Sequence, residues 1–362
     1  MKILQPYKSK NLHLQNRVVM APMTRSRADN KEQAANEIMV EYYKQRASAG
    51  LIISEGLHIS QSAVGSINVP GIYTQKQVDS WKKITEAVHE KSGIIFAQLW
   101  HVGRISHPDI LGGNLPLAPS AINADFKTFT NKGFTNTATP KAMTLQEIEQ
   151  TVYDFQRAAV NGINAGFDGV ELHAANGYLF HQFFAKCSNI REDKYGGTIE
   201  NRPRFLFDVL DKLIEKIPLS KVGIRISPSL NNTFGIVTDN ETVELFEYIV
   251  SKLNDYDLAY LHISGFSQDN EENSLETVLE TAKYYRELYK GTYIINKGFT
   301  RDTANQAIEE GIADLVSFGE LFISNPDLVK RFEKNSLINL ADKKTYYTQG
   351  AKGYIYYPFL ED

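Results

Sequence analysis

The 362-residue sequence predicts a single α/β domain, residues 1–362, folded as a (β/α)8 TIM barrel with an N-terminal β-hairpin and a long excursion after the third strand. Three observations lead there. Eight short apolar runs alternate with segments of helical period, the pattern of a parallel sheet covered by helices. No low-complexity or linker-like stretch divides them, and barrels of this class reach this length as one domain. Polar residues collect just beyond the carboxyl ends of the runs, where such barrels build their sites. The competing arrangement, a doubly wound sheet, normally carries G-x-G-x-x-G after its first strand, and no such motif stands there.

Each element has its own justification. Residues 2–4 and 11–14 flank a turn at 6–10 and predict the small hairpin. Strand 17–20 is stopped by Pro22, which leaves Thr24 at its carboxyl end. Residues 36–49 have helical character, and 51–54 form a second buried strand closed by Glu55 and Gly56. Helix 76–91 is amphipathic, with Val78, Trp81, Ile84 and Val88 three or four apart. The third strand is 94–101. Residues 103–141 show no period and many Gly, Pro, Asn and Thr, so they read as an excursion or lid. Thr144 and Glu147 form a capping box for helix 145–165. Strand 169–172 is followed by helix 200–217, with Pro203 in its first turn. The alternation continues with strand 222–227, helix 240–254, strand 258–264, helix 274–289, strand 293–296, helix 300–310, strand 314–318 and a last helix 325–333.

Composition narrows the function classes. The net charge is −4, with acidic and basic residues interspersed, so no nucleic-acid surface is expected. The lone cysteine, Cys187, excludes an intrachain disulfide and a four-cysteine iron–sulfur centre. No apolar stretch approaches the roughly 20 residues of a membrane span, and the N-terminus lacks the apolar core of a signal peptide. A cytoplasmic protein without a membrane partner, monomeric or homodimeric, is the expectation.

The chemistry-bearing residues cluster after the fourth strand. His173, Asn176 and Tyr178 fall within six residues, and an imidazole, an amide and a phenol at a strand end can jointly hold and protonate one small polar group. Spacing alone leaves open a purely local hydrogen-bonding and packing role. Gln98 and Arg225 interrupt otherwise apolar strands. A buried guanidinium requires an acceptor, either at the barrel mouth or in a structural bridge to a carboxylate such as Glu171.

The run His173-Ala-Ala-Asn176-Gly-Tyr178, followed by Asn189-x-Arg191-x-Asp193-x-Tyr195-Gly-Gly and Glu200-Asn-Arg202, resembles the old yellow enzyme family of flavin-dependent ene-reductases. The resemblance implies an NAD(P)H-dependent flavin oxidoreductase with bound FMN and NADPH or NADH as co-substrate. It would reduce small electrophilic alkenes, namely α,β-unsaturated carbonyls and maleimides, with nitro-compounds as a further class, by a ping-pong mechanism. By the same resemblance Pro22, Met23 and Thr24 meet the flavin from the first-strand loop, Gly56 and Gln98 line its ring, and Arg225 stands near N1 and O2. Gly298, Gly319 and Glu320 match the phosphate turns. His173 and Asn176 would hold the substrate oxygen, Tyr178 would donate the proton, and Trp100 and Tyr354 would shape the substrate side. There are departures: Glu320 stands where relatives often have arginine, Lys297 where many have glycine, and Ser66 where some have an aromatic. The expectation is that Lys297 supplies the positive charge near the phosphate while Glu320 turns away. A metal- or Schiff-base-dependent lyase, with Lys297 as its only nearby lysine, and a flavin-binding sensor without turnover are the alternatives.

Overall fold

Eight parallel strands close on themselves in chain order. They are β1 (Val18–Met20), β2 (Leu51–His58), β3 (Ile95–Trp100), β4 (Gly169–Ala174), β5 (Val222–Ile226), β6 (Tyr260–Ser264), β7 (Tyr293–Asn296) and β8 (Leu315–Phe318). The computed structural model describes residues 1–265 and 275–361. The predicted barrel is therefore the observed one, and each strand is flanked by the neighbours the alternation requires.

The period-two rule sorts the strand residues. On β4, Val170 and Leu172 pack with helix residues such as Phe155 and Leu206 in the outer core. Glu171 and His173 alternate with them and face the interior. The interior is layered. Its lower end is apolar, with Val19, Ile53, Phe96 and Leu315 packed on Tyr7, Leu12 and Leu14 of the N-terminal segment. Above that floor the interior turns polar, which is where a site can form.

The helices follow local signals. α1 (Glu37–Gln45) is capped by the Asn36 side chain. α2 (Gln75–His89) and α3 (Leu145–Asn164) open on capping boxes, Thr74 with Gln77 and Thr144 with Glu147. Among the described residues no helix is long and apolar enough to cross a membrane.

Several expectations need correction. Residues 2–4 form a 3-10 helix (Lys2–Leu4), and the hairpin pairs Tyr7–Lys8 with His13–Leu14 instead. Ile3 is wholly buried and acts as an anchor, and the Ser9 N–H donates to the Leu12 carbonyl at 2.9 Å to close the turn. β2 runs through Glu55 and Gly56 to His58, with a register shift between Ile53 and Gly56. A short helix, α4 (Leu179–Phe184), was not expected. It is buried on every side, so no amphipathic period marks it. The helix expected from residue 200 begins after Pro203, as α5 (Arg204–Leu213); the ring lacks an N–H and cannot sit deeper. The following helices are α6 (Thr242–Lys252), α7 (Leu275–Leu288) and α8 (Arg301–Glu309); residue 274, the expected start of α7, lies outside the described residues. The last predicted helix, 325–333, is observed as α10 (Leu328–Lys334), and the short helix before it, α9 (Glu320–Ser324), was not expected. The excursion contains an antiparallel hairpin, Lys127–Thr130 with Gly133–Asn136.

Candidate active site

A cavity of about 610 Å³ opens at the carboxyl ends of the barrel strands. Pro22, Met23 and Thr24 reach it from the end of β1, Gln98 and Trp100 from β3, and Arg225 from β5. Lys297 and Gly298 after β7, and Gly319 and Glu320 after the neighbouring β8, also line it. His173, Asn176 and Tyr178 complete it.

The chain after β4 is shaped for this. Asn176 and Gly177 both adopt left-handed backbone, φ 56° and 77°, a conformation Asn and Gly tolerate best. The reversal turns Asn176 and Tyr178 back over the barrel mouth, and Tyr178 then stands at the N-terminal boundary of α4, its side chain left free of any capping role. Asn176 is anchored to β5: its backbone N–H donates to Ser227 Oγ at 3.3 Å, and Ser227 Oγ–H donates to Asn176 Oδ1 at 2.8 Å. With its oxygen so used, the amide has its NH2 left for the cavity.

The titratable groups are held in defined states. Burial, reinforced by the positive charge of Arg225, pushes His173 well below its ordinary pKa, so it is a neutral imidazole at neutral pH. Burial also pushes the Tyr178 phenol upward, with Tyr347 adding to the effect, so it keeps its proton. Tyr178 is packed edge-on against Trp100 and His173, with ring centroids 4.9 and 5.1 Å away, and lies 5.4 Å from Phe234.

Gln98 and Arg225 occupy the layer beneath. Gln98 Nε2 donates to Glu171 Oε1 at 2.7 Å. Arg225 forms no salt bridge to Glu171; it donates to Ser264 Oγ at 3.0 Å and Asn296 Oδ1 at 2.9 Å, both neutral. The structural-bridge alternative for Arg225 is thereby set aside.

Two expected residues are not brought to the cavity. Gly56 faces Trp100, and a Cβ there would meet the indole Cε3 at 2.6 Å; the glycine makes room for Trp100. Tyr354 is fully buried, its ring stacked on Tyr42 at 4.0 Å. Tyr346 and Tyr347 of the C-terminal segment reach the cavity in its place. They are held by Arg25 and Arg27, whose guanidiniums donate to the Tyr346 carbonyl at 3.1 and 2.7 Å. The sequence reading chose Tyr354 and did not single out this pair; the adjacent aromatics are a local signal, but the burial of the two arginines that places them is not. Glu320 accepts a hydrogen bond from the Tyr346 hydroxyl at 2.8 Å, so its carboxylate turns toward that segment.

A family model described as NADH:flavin oxidoreductase / NADH oxidase matches residues 2–339. The chain belongs to this family, that of the old yellow enzymes. Among solved structures, the old yellow enzyme homologue from Zymomonas mobilis superposes with a TM-score of 0.94 at 39% identity, covering 99% of this chain and 100% of that one. Morphinone reductase in complex with tetrahydroNAD gives 0.92 at 40% identity, covering 100% and 98%. The 12-oxophytodienoate reductase 7 of Oryza sativa subsp. japonica is 39% identical over 376 residues, 99% of this chain and 94% of the relative. The protein is thus an NAD(P)H-dependent flavin oxidoreductase with FMN as cofactor and a reduced nicotinamide as co-substrate.

The cavity of this old yellow enzyme relative fits a flavin. Arg225 Nε, Trp100 Nε1 and His173 Nδ1 are buried without a hydrogen-bond partner. Leaving such groups unpaired costs about 1–3 kcal/mol each, and a polar planar ligand would relieve part of that. Arg225, a cation with only neutral partners, suits the electron-rich edge of the flavin ring.

Proposed function

We propose that this old yellow enzyme relative reduces the activated C=C bond of small electrophilic alkenes, α,β-unsaturated carbonyls and maleimides, with nitro-compounds as a further class, in a ping-pong cycle driven by NADPH or NADH. The observation that carries this reading is the convergence of a neutral imidazole, an oriented amide NH2 and a protonated phenol in one cavity. FMN, when bound, would supply the hydride-transfer chemistry between the nicotinamide and the alkene.

The chain's own residues do the rest. Pro22, Met23, Thr24 and Gln98 would line the flavin ring, Arg225 would meet its pyrimidine edge, and Lys297, Gly298, Gly319 and the Glu320 backbone N–H would hold the phosphate. His173 and Asn176 donate to the substrate oxygen and draw electron density from the double bond. Both groups are pre-set, one by burial and one by Ser227, so little reorganisation accompanies binding. The Tyr178 O–H protonates the α-carbon, and its raised pKa keeps that proton in place across the neutral range. Trp100, Tyr178 and Phe234 form an apolar wall that excludes water from the reacting carbon. A sensor without turnover would have no use for the phenol proton.

Replacing Tyr178 by Phe tests the assignment. Bleaching of the yellow holoprotein by NADPH should proceed nearly as in the wild type, since that half-reaction takes no proton from Tyr178. Recovery of colour with 2-cyclohexenone should slow by at least ~100-fold, the lower range for loss of a general acid. Equal slowing of both half-reactions would assign Tyr178 a packing role only.

A further inference from the structure

We propose that Glu171 is a positioning residue that acts on the bound FMN through Gln98 and through its charge, holding the cofactor's two-electron potential down. The inference rests on the proposed seat of the flavin's pyrimidine edge over Gln98 and Arg225.

Glu171 lies inside the barrel two residues before His173, with no exposed surface. Its register partner on β3 is Gln98. One carboxylate oxygen accepts from Gln98 Nε2 at 2.7 Å, and the other lies 2.9 Å from His262 Nδ1. His262 Nε2 lies 2.8 Å from Ser317 Oγ. Placing the ring proton on Nδ1 gives both carboxylate oxygens a donor and lets Nε2 accept the serine hydroxyl proton. Burial, set against the attraction of Glu171, lowers the pKa of His262, so the ring adds no positive charge. With Gln98 Nε2 directed at one oxygen and His262 Nδ1 at the other, Glu171 accepts at both, as a carboxylate does.

Two consequences reach the cavity. An ionised carboxylate only accepts, so Gln98 must turn its NH2 toward Glu171 and present its oxygen, with one remaining N–H, to the site. That acceptor–donor pair is complementary to an imide edge, an N–H beside a carbonyl, such as a flavin carries. The second consequence is electrostatic. After burial, Glu171 is the largest influence on Arg225, although the two share no hydrogen bond. Hydride delivery adds two electrons and one proton to the cofactor, one net negative charge, and leaves the nicotinamide oxidised by the same two electrons. Arg225 favours that charge and Glu171 opposes it. Both are buried, so solvent screens neither strongly. A carboxylate serving only to satisfy His262 would have no such signed effect.

The test is the reduction potential of the holoprotein, measured by dye-equilibrated titration. Glu171→Gln keeps the shape, and His262 can exchange tautomers to accept from the new amide. Its ratio of affinities for reduced over oxidised FMN should rise at least tenfold, about +30 mV for a two-electron couple. His262→Gln disturbs the same network but leaves the carboxylate; its ratio should move by less than threefold. An unchanged potential in Glu171→Gln, or an equal rise in both variants, overturns the proposal. Arg225→Gln separates the two readings, because it should lower the potential if the flavin edge sits where proposed. No change there would discard the seat itself, whereas a drop there with no rise in Glu171→Gln discards only the role of Glu171. If Glu171→Gln does not fold, the infrared difference spectrum of the wild-type holoprotein on reduction carries the test: a carboxylate band must shift, and its absence overturns the inference.

Discussion

Ser227→Ala is the sharpest probe of how the substrate-binding amide is held. Ser227 is wholly buried and makes both bonds to Asn176, at 3.3 Å to its N–H and 2.8 Å to its Oδ1. Each contributes roughly 0.5–1.5 kcal/mol, so the variant should lose about 1–3 kcal/mol of stability. The ligand effect is separable from this loss. Without Ser227 the amide can rotate, and ordering it again on binding costs about 0.5–1.5 kcal/mol. That corresponds to a roughly 2- to 12-fold weaker affinity for any ligand that places an oxygen against Asn176 Nδ2. The assay is titration of the oxidised holoprotein with phenol, followed by the long-wavelength charge-transfer band of bound phenolate. A double-mutant cycle completes it: in an Asn176→Ala background, Ser227→Ala should weaken phenol no further. Unchanged phenol affinity in the single variant, or the same loss in both backgrounds, would refute the orienting role.

The remaining predictions concern the phosphate end and pH. Lys297 holds φ 109°, a strained backbone for a residue with a Cβ, so Lys297→Gly should raise the apoprotein Tm. The same change should weaken FMN binding by roughly 1–3 kcal/mol, the range for a hydrogen bond to a charged group; an unchanged Kd for FMN at low salt would remove Lys297 from the phosphate site. His58, His101 and His181 are each lowered by burial to about 3, so their neutral forms contribute stability that is present above the unfolded pKa of 6.5 and lost as pH falls toward 3. The unfolding free energy from urea titration should drop between pH 6.5 and 5, with these three protons alone contributing a slope approaching about 4 kcal/mol per pH unit; a flat profile contradicts their burial. Glu55 has the opposite sign. Burial raises it from 4.5 to about 7, so its contribution is complete below 4.5 and disappears as pH rises through 7. Glu55→Gln should therefore gain unfolding free energy relative to wild type at pH 8 and not at pH 5, by an amount on the order of 3 kcal/mol; equal differences at both values would show that Glu55 is not held as a neutral acid.

How much was legible in the sequence follows the range of the forces involved. Apolar period and turn residues are local, and they located all eight strands and most helices to within a few residues. Gln98 and Arg225 stood out because a polar group in an apolar strand must have a purpose. The segment from His173 to Tyr178 was legible for the same reason, as three polar groups crowded at one strand end. The misses were elements without a local signature: α4, buried all round, and the 3-10 turn at Lys2–Leu4, fixed by the burial of Ile3.

What the sequence by itself determined was the barrel, its strand order and the residue types at its mouth, because side-chain alternation and strand-end position follow from covalent geometry and burial. Only the tertiary structure decided which of those side chains meet. Closing the barrel sets Glu171 level with Gln98 and His173 level with Arg225, pairings that span up to 73 residues. It brings Ser227 to Asn176 across 51 residues. It puts Tyr346 and Tyr347, rather than Tyr354, at the cavity, because the buried guanidiniums of Arg25 and Arg27 find their acceptors on backbone carbonyls more than 300 residues away. A hydrogen bond leaves no periodic trace in the chain; it exists only once packing has brought donor and acceptor within 3 Å or so.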